Sequence, residues 1–293
     1  MTRTPLIALS CLAAVSATAC GSSHNASPAR RVHSTATAAS APRVASTPGY
    51  PDSIVAIGHS GATGEDSDPA QPHVEIRANS WATGTNPAVH SVYQRILAKN
   101  PAIREHNFNL DQGGANVDQL LDQARNAVQL KPKPQLVLIQ TIDNDMACPA
   151  HAADYASYRA KLVSVLQVLA HGLPQAKMFI ASQLGMPTTE WKTYTLAERR
   201  QAGGTGPCDY LNPQGKVVSS KLARLVRIIR GYEAQVKAAC AKVPHCSFDA
   251  PLYARQVHRR KYVSEDLNHL SIAGHAWAAR VAWAAMRHTG VVP

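Results

Sequence analysis

The hexapeptide Gln135-Leu136-Val137-Leu138-Ile139-Gln140 sets four consecutive apolar residues between two glutamines. A short unbroken run of this kind reads as a strand covered on both faces, the pattern of a parallel sheet interior. Ser53-Ile54-Val55-Ala56-Ile57-Gly58 is a second such run, β-branched and closed by glycine, and His106–Leu110 and Lys177–Ser182 read as two more. Helical spacing fills the intervals. Pro87–Asn100 carries Val89, Val92, Ile96 and Leu97. Val117–Leu130 puts Leu120, Leu121, Ala124 and Val128 on one face, and Tyr155–Leu169 follows. Lys216–Val243 is a long amphipathic segment with a break expected near Gly231, and Ser271–His288 closes the chain. Strands alternating with helices in this way predict an α/β protein, a three-layer α/β/α sandwich with a central parallel sheet.

Only part of the 293 residues takes part in that pattern. Arg3 followed by the apolar stretch Leu6–Val15 has the length of an export signal and is short for a bilayer span. Ala17-Thr18-Ala19-Cys20-Gly21 resembles a lipobox, with Ala17 where leucine is usual. Two outcomes follow: lipidation at Cys20 after a signal peptide of residues 1–19, or ordinary cleavage and secretion. Both place the protein outside the cytoplasm, on the outer face of the cell membrane or free. Residues 20–50 are rich in Ser, Ala, Thr and Pro without apolar periodicity, and read as a disordered tether. The folded domain is expected over residues 51–293.

Four cysteines lie in that domain, an even number that suits an oxidising compartment. Cys240 and Cys246 are near neighbours and are expected to close a small loop around Pro244. Cys148 and Cys208 then pair. The formal net charge is +11, spread along the chain with one local run from Arg255 to Lys261. A solvated basic face is the simplest account of that run, with an anionic envelope surface as its other possible use. Aromatics are sparse and not interleaved with the basic residues, which argues against nucleic acid as a partner. No metal is expected, because no Cys-x-x-Cys pair or cysteine–histidine ladder is present. A monomer is expected.

Four short segments carry the candidate chemistry: Gly58-His59-Ser60, Gly113-Gly114, Asn144-Asp145 and Asp266-Leu267-Asn268-His269. Serine needs a neighbouring base to act as a nucleophile, and a carboxylate three residues before a histidine can orient the imidazole for that purpose. A glycine lets a backbone N–H approach a reacting carbonyl, and Asn144 offers a side-chain amide to the same oxygen. Each piece alone has an ordinary explanation as a turn, a helix cap or one of 13 histidines. What joins them is position. In a parallel sheet the carboxyl ends of the strands share one edge, and three of the four segments follow strands while the fourth precedes the last helix.

In this order the blocks resemble the SGNH (GDSL-type) hydrolase family, from about Ile54 to the C-terminal helix. The resemblance implies a flavodoxin-like hydrolase fold and a serine esterase or acyl hydrolase without a cofactor. It implies Ser60 as nucleophile, His269 as base and Asp266 as its orienting acid. The N–H groups of Ser60 and Gly114, Gly114 fitting better than Gly113, and the Asn144 amide would form the oxyanion hole. Two positions depart from the family pattern. His59 stands where the family has aspartate, and Ile142 where its third block has glycine, so the usual substrates transfer poorly. These departures motivate a second reading, a catalytically silent envelope-binding lipoprotein, and acyl transfer to an envelope sugar is a third. The partner implied by the first reading is an ester, either a lipid or an acylated envelope component, met at a membrane reached through the lipid anchor. The long stretch from Gln183 to Gly215, with Met186, Trp191, Tyr194 and Tyr210, is expected to furnish a substrate pocket or lid, and Asn79 and Trp81 are further pocket candidates.

Overall fold

A computed structural model describes residues 45–184, 187–204, 208–253, 256 and 259–293. The expected signal peptide, Cys20 and most of the tether lie outside the described residues. So do Met186, Gly206-Pro207 and part of the Arg255–Lys261 run.

Five parallel strands form the sheet. They are β1 (Ile54–Gly58), β2 (Asn107–Asn109), β3 (Leu136–Gln140), β4 (Lys177–Ala181) and β5 (Cys246–Phe248), in the order β2-β1-β3-β4-β5. β3 is central, paired in register with β1 from Ile54↔Leu136 to Gly58↔Gln140 and with β4 from Leu136↔Lys177 to Gln140↔Ala181. Every residue of β1 and β3 is buried, because both faces are covered. Alternate side chains serve different layers. Ile54, Ala56, Leu136, Leu138 and Phe179 pack with α1 (Val92–Leu97) and α7 (Ile272–His288). Val55, Ile57, Val137, Ile139 and Ile180 pack with α2 (Val117–Ala127), α3 (Ala152–Gly172) and α6 (Ser219–Cys240). The three-layer sandwich is therefore as expected from the alternation of the segments.

The differences from expectation have local causes. β5, at the sheet edge, is only Cys-Ser-Phe, too short to show as an apolar run. α6 continues through Gly231 without interruption. A Cβ at that position would lie 2.5 Å from Tyr155 Cζ, so the glycine serves the close approach of α3. α1 begins only at Val92 because Ser91 caps it, its hydroxyl accepting from Gln94 N–H and the Gln94 side chain accepting from Ser91 N–H. The tether also ends sooner than residue 50. Thr47 N–H donates to Asn100 Oδ1 at 3.0 Å, Thr47 Oγ1 donates to the Lys99 carbonyl at 2.9 Å, and Tyr50 packs on the core. Both disulfides are formed as paired above, Cys148–Cys208 and Cys240–Cys246, each with its Cα atoms 5.4 Å apart.

Candidate active site

The carboxyl ends of the strands carry the chemistry-bearing turns, and the sequence explains why each bends where it does. β1 ends at Gly58, whose φ of +152° and close approach both demand glycine: a Cβ there would lie 2.2 Å from the Gln140 carbonyl oxygen. Gln123 of α2 fastens this corner, its Oε1 accepting from Gly58 N–H at 2.6 Å and its Nε2 donating to the Gly58 carbonyl at 2.9 Å. A 3-10 turn, Ser60–Ala62, follows, with His59 as its N-cap accepting from Gly61 N–H. Ser60 thus stands at the start of a short helix, half-buried. Its Oγ and its N–H make no hydrogen bond among the described residues. Beneath the turn, Gln140 accepts from Trp81 Nε1 at 3.0 Å, and its side-chain nitrogen lies where a Cβ on Gly61 would be. Gly61 is therefore a packing requirement as much as a matter of flexibility.

Asp266 and His269 sit in the loop before α7. Leu267 turns the chain at φ +63°, which brings the two side chains face to face with Asp266 Oδ2 and His269 Nδ1 2.5 Å apart. The second oxygen, Oδ1, accepts from Asn268 N–H at 2.9 Å, His269 N–H at 3.0 Å and the Ser264 hydroxyl. Burial favours the neutral acid, but these hydrogen bonds outweigh it and hold Asp266 well below the usual carboxylate range. For His269, burial opposes the cation. The hydrogen bond and charge of Asp266, with the charges of Glu65 and Asp66, reverse that and raise the imidazole above 6.5. Glu65 Oε2 stands 3.6 Å from Nε2 and Asp66 Oδ2 3.6 Å from Nδ1. Nε2 also lies 3.4 Å from Asn268 Nδ2 and makes no hydrogen bond to Ser60 in this structure. Hydrogen bonds of this kind are often long or unformed before substrate arrives.

One cavity of about 780 Å³ joins the pieces: Ser60, Asn144, Asp266 and His269 all line it. Asn144 is exposed on the 3-10 turn Asp143–Asp145 after β3. One of its two amide N–H groups donates to the Ala115 carbonyl at 3.0 Å, tying this turn to the glycine loop and leaving the second free to point elsewhere. Gly114 does not line the cavity. It sits on the neighbouring loop at φ +72° with an N–H that donates to nothing among the described residues. Gly113 differs: its N–H is held by Glu75 Oε1 at 2.8 Å. Of the two glycines, only Gly114 has a free donor.

The pocket candidates divide. Tyr210 lines the cavity, with Gln183, Leu184, Glu190, Tyr194 and Gln201 from the same Gln183–Gly215 stretch. That stretch is not a bare loop but holds α4 (Pro187–Glu190) and α5 (Leu196–Ala202). It is fastened by Cys148–Cys208, by Arg260 pairing with Glu198 at 2.5 Å, and by Tyr194 packing on Val263 and Leu267. Trp81, expected in the pocket, is core: it is 1 % exposed. Asn79 is likewise buried, bridging Ser67 Oγ and the Asn86 amide. Trp191 lies off the cavity, with Lys192 and Arg199 over its ring at 5.9 and 5.8 Å. All three were aromatic or polar residues close to the right segments in sequence, and proximity along the chain did not carry into the cleft. The carboxylates Glu65 and Asp66 carry no signal in the sequence, because their link to His269 is purely spatial. With His269 they place three ligand-type atoms within 4.8 Å of one another.

A family model described as GDSL-like Lipase/Acylhydrolase matches residues 52–282. No curated protein sequence matches the chain. Among solved structures, that of TesA is similar with a TM-score of 0.51 at 14 % identity, covering 80 % of this chain and 98 % of that one. A protein from Parabacteroides merdae, described as a GDSL-like lipase, is similar with a TM-score of 0.50 at 15 % identity, covering 82 % and 96 %. At such identities the structural likeness speaks for the fold, and the family rests on the model match across most of the domain. The chain belongs to the GDSL-like lipase/acylhydrolase family and is a carboxylic ester hydrolase.

Proposed function

We propose that the chain cleaves esters through a Ser60–His269–Asp266 triad and an acyl-enzyme intermediate. The observation that carries this reading is the 2.5 Å Asp266–His269 contact on a cavity that Ser60 and Asn144 also line. His269, held in one orientation by Asp266, takes the Ser60 proton as the hydroxyl attacks the ester carbonyl. The oxyanion is stabilised by the Ser60 and Gly114 N–H groups and by the free amide N–H of Asn144. His269 then gives its proton to the leaving alcohol, and water releases the acid by the same route. Gly114, which does not line the cavity, would reach the oxyanion through movement of its loop, to which Asn144 is tied through Ala115. The purified domain, offered a panel of p-nitrophenyl esters of graded acyl length, is expected to turn over at least one with release of the free acid. No turnover across the panel would remove the hydrolytic reading, and acyl transfer to an added polyol without release of acid would redirect it.

The titration of His269 gives a second expected result. The base works unprotonated, and its pKa is raised, so kcat/KM should climb with pH along a limb centred above about 6.5. Glu65 contributes to that raising. Replacing Glu65 with Gln should therefore shift the limb to lower pH, and a limb that stays put or moves up would contradict the assignment.

We further propose that the protein is exported and held at the outer face of the membrane by lipid on Cys20. The apolar stretch Leu6–Val15 and the Ala17–Gly21 segment support this, as do two disulfides in the domain. Its ester would then be a lipid or an acylated envelope component.

A further inference from the structure

The two positions that depart from the family pattern lie on either side of one contact. His59 follows β1 and is 2 % exposed. Its Nδ1 accepts from Gly61 N–H at 3.1 Å, so the ring proton resides on Nε2. Burial keeps the imidazole neutral by lowering its pKa, against the pull of Asp143. Nε2 has no hydrogen-bond partner of ordinary geometry, and it faces Asp143 Oδ2 at 3.5 Å. An N–H buried this deeply and left unpaired is costly, which favours closure of this contact. Asp143 Oδ1 meanwhile accepts from Gln183 Nε2 at the end of β4. The carboxylate, on the turn after β3, thus stands between a residue that follows β1 and one that follows β4, hydrogen-bonded to the second and 3.5 Å from the first.

That turn is under strain. Ile142, immediately before Asp143, has φ +106° and ψ −56°, a region hostile to a β-branched side chain. Such a conformation survives only where its surroundings over-determine it. Here they do so from both sides: the Ile142 side chain is fully buried among Val55, Ile57 and α3, and the next residue accepts from Gln183 with His59 Nε2 3.5 Å away. Asn144 comes directly after.

We propose that His59 is a positioning residue: through Asp143 it locks the turn that carries Ser60 to the strained turn that carries Asn144. The histidine that replaces the family's aspartate and the isoleucine that replaces its glycine are on this account a matched pair. The glycine would adopt the turn unaided, whereas the isoleucine needs the clamp. This inference rests on the proposed roles of Ser60 and Asn144.

A double-mutant cycle tests it. Asparagine at 59 is a good N-cap and can still accept from Gly61 N–H, but is too short to reach Asp143. His59→Asn is expected to lower kcat for p-nitrophenyl acetate about tenfold with KM within about twofold. Asp143→Ala, which also removes the acceptor of Gln183 Nε2, should lower kcat at least as far, and the double variant should be no worse than Asp143→Ala, because His59 then has no link left to lose. Wild-type kcat in His59→Asn, or losses that multiply in the double variant, would overturn the proposal. If His59→Asn folds poorly, Asp143→Ala carries the same test from the other side of the contact: an unchanged kcat there would be equally contradictory. An inactive wild-type protein would instead point to failure of the ester-hydrolysis reading itself, and labelling of wild-type Ser60 by a fluorophosphonate separates the two.

Discussion

Alanine at position 60 is expected to lower kcat for a short p-nitrophenyl ester by roughly 10⁶-fold, the size of loss that follows removal of a serine nucleophile from a complete triad. The fold should be indifferent to the change. Ser60 Oγ makes no hydrogen bond among the described residues, so its removal leaves no buried partner orphaned, and the corner itself is held by Gly58, Gln123 and the His59 cap. Stability should stay within about 0.5 kcal/mol of wild type. A variant that retains ester turnover at a tenth of the original rate or more would mean that the hydroxyl is not the attacking group.

The second large effect is expected from Asp266→Asn, on the order of 10⁴-fold in kcat. Asparagine keeps the shape and one carbonyl oxygen, which can still accept from the Asn268 and His269 N–H groups. What it cannot do is present an anionic acceptor to His269 Nδ1–H. An amide there either loses the bond or forces the opposite tautomer, with the proton on Nε2 where the base needs a lone pair. The charge lost is also one of those that raise His269, so the acid limb of the residual activity should move to lower pH. A loss of less than about tenfold, or an unmoved limb, would show that another carboxylate orients the imidazole. Asp66, 3.6 Å from Nδ1, is the group placed to do so.

How much of this was legible beforehand depended on the kind of interaction involved. Strands β1, β3 and β4 announce themselves because burial on both faces forces unbroken apolar runs. β5 is hidden because an edge strand of three residues needs no such run. Asp266 and His269 could be read as a pair because they are local, three residues apart on one turn. Ser60 and Asn144 could be placed with them because strand order fixes which loops share an edge. The cleft walls were not legible in the same way. Trp81 looked like a pocket aromatic and is a core residue supporting Gln140, while Glu65, Asp66 and Glu75 reach the site through side-chain contacts with no sequence period. The meaning of His59 and Ile142 likewise emerges only in space. In the sequence they are two unrelated departures, and in the structure they flank one carboxylate.

The central claim is that Ser60 is an activated nucleophile, and covalent labelling tests it most directly. The mature domain treated with a fluorophosphonate should gain one phosphonyl group, mapped by peptide mass spectrometry to Ser60, and the labelling should vanish in Ser60→Ala and fall sharply in Asp266→Asn. Absence of a label on wild-type protein that hydrolyses esters, or a label on a different residue, would contradict the account.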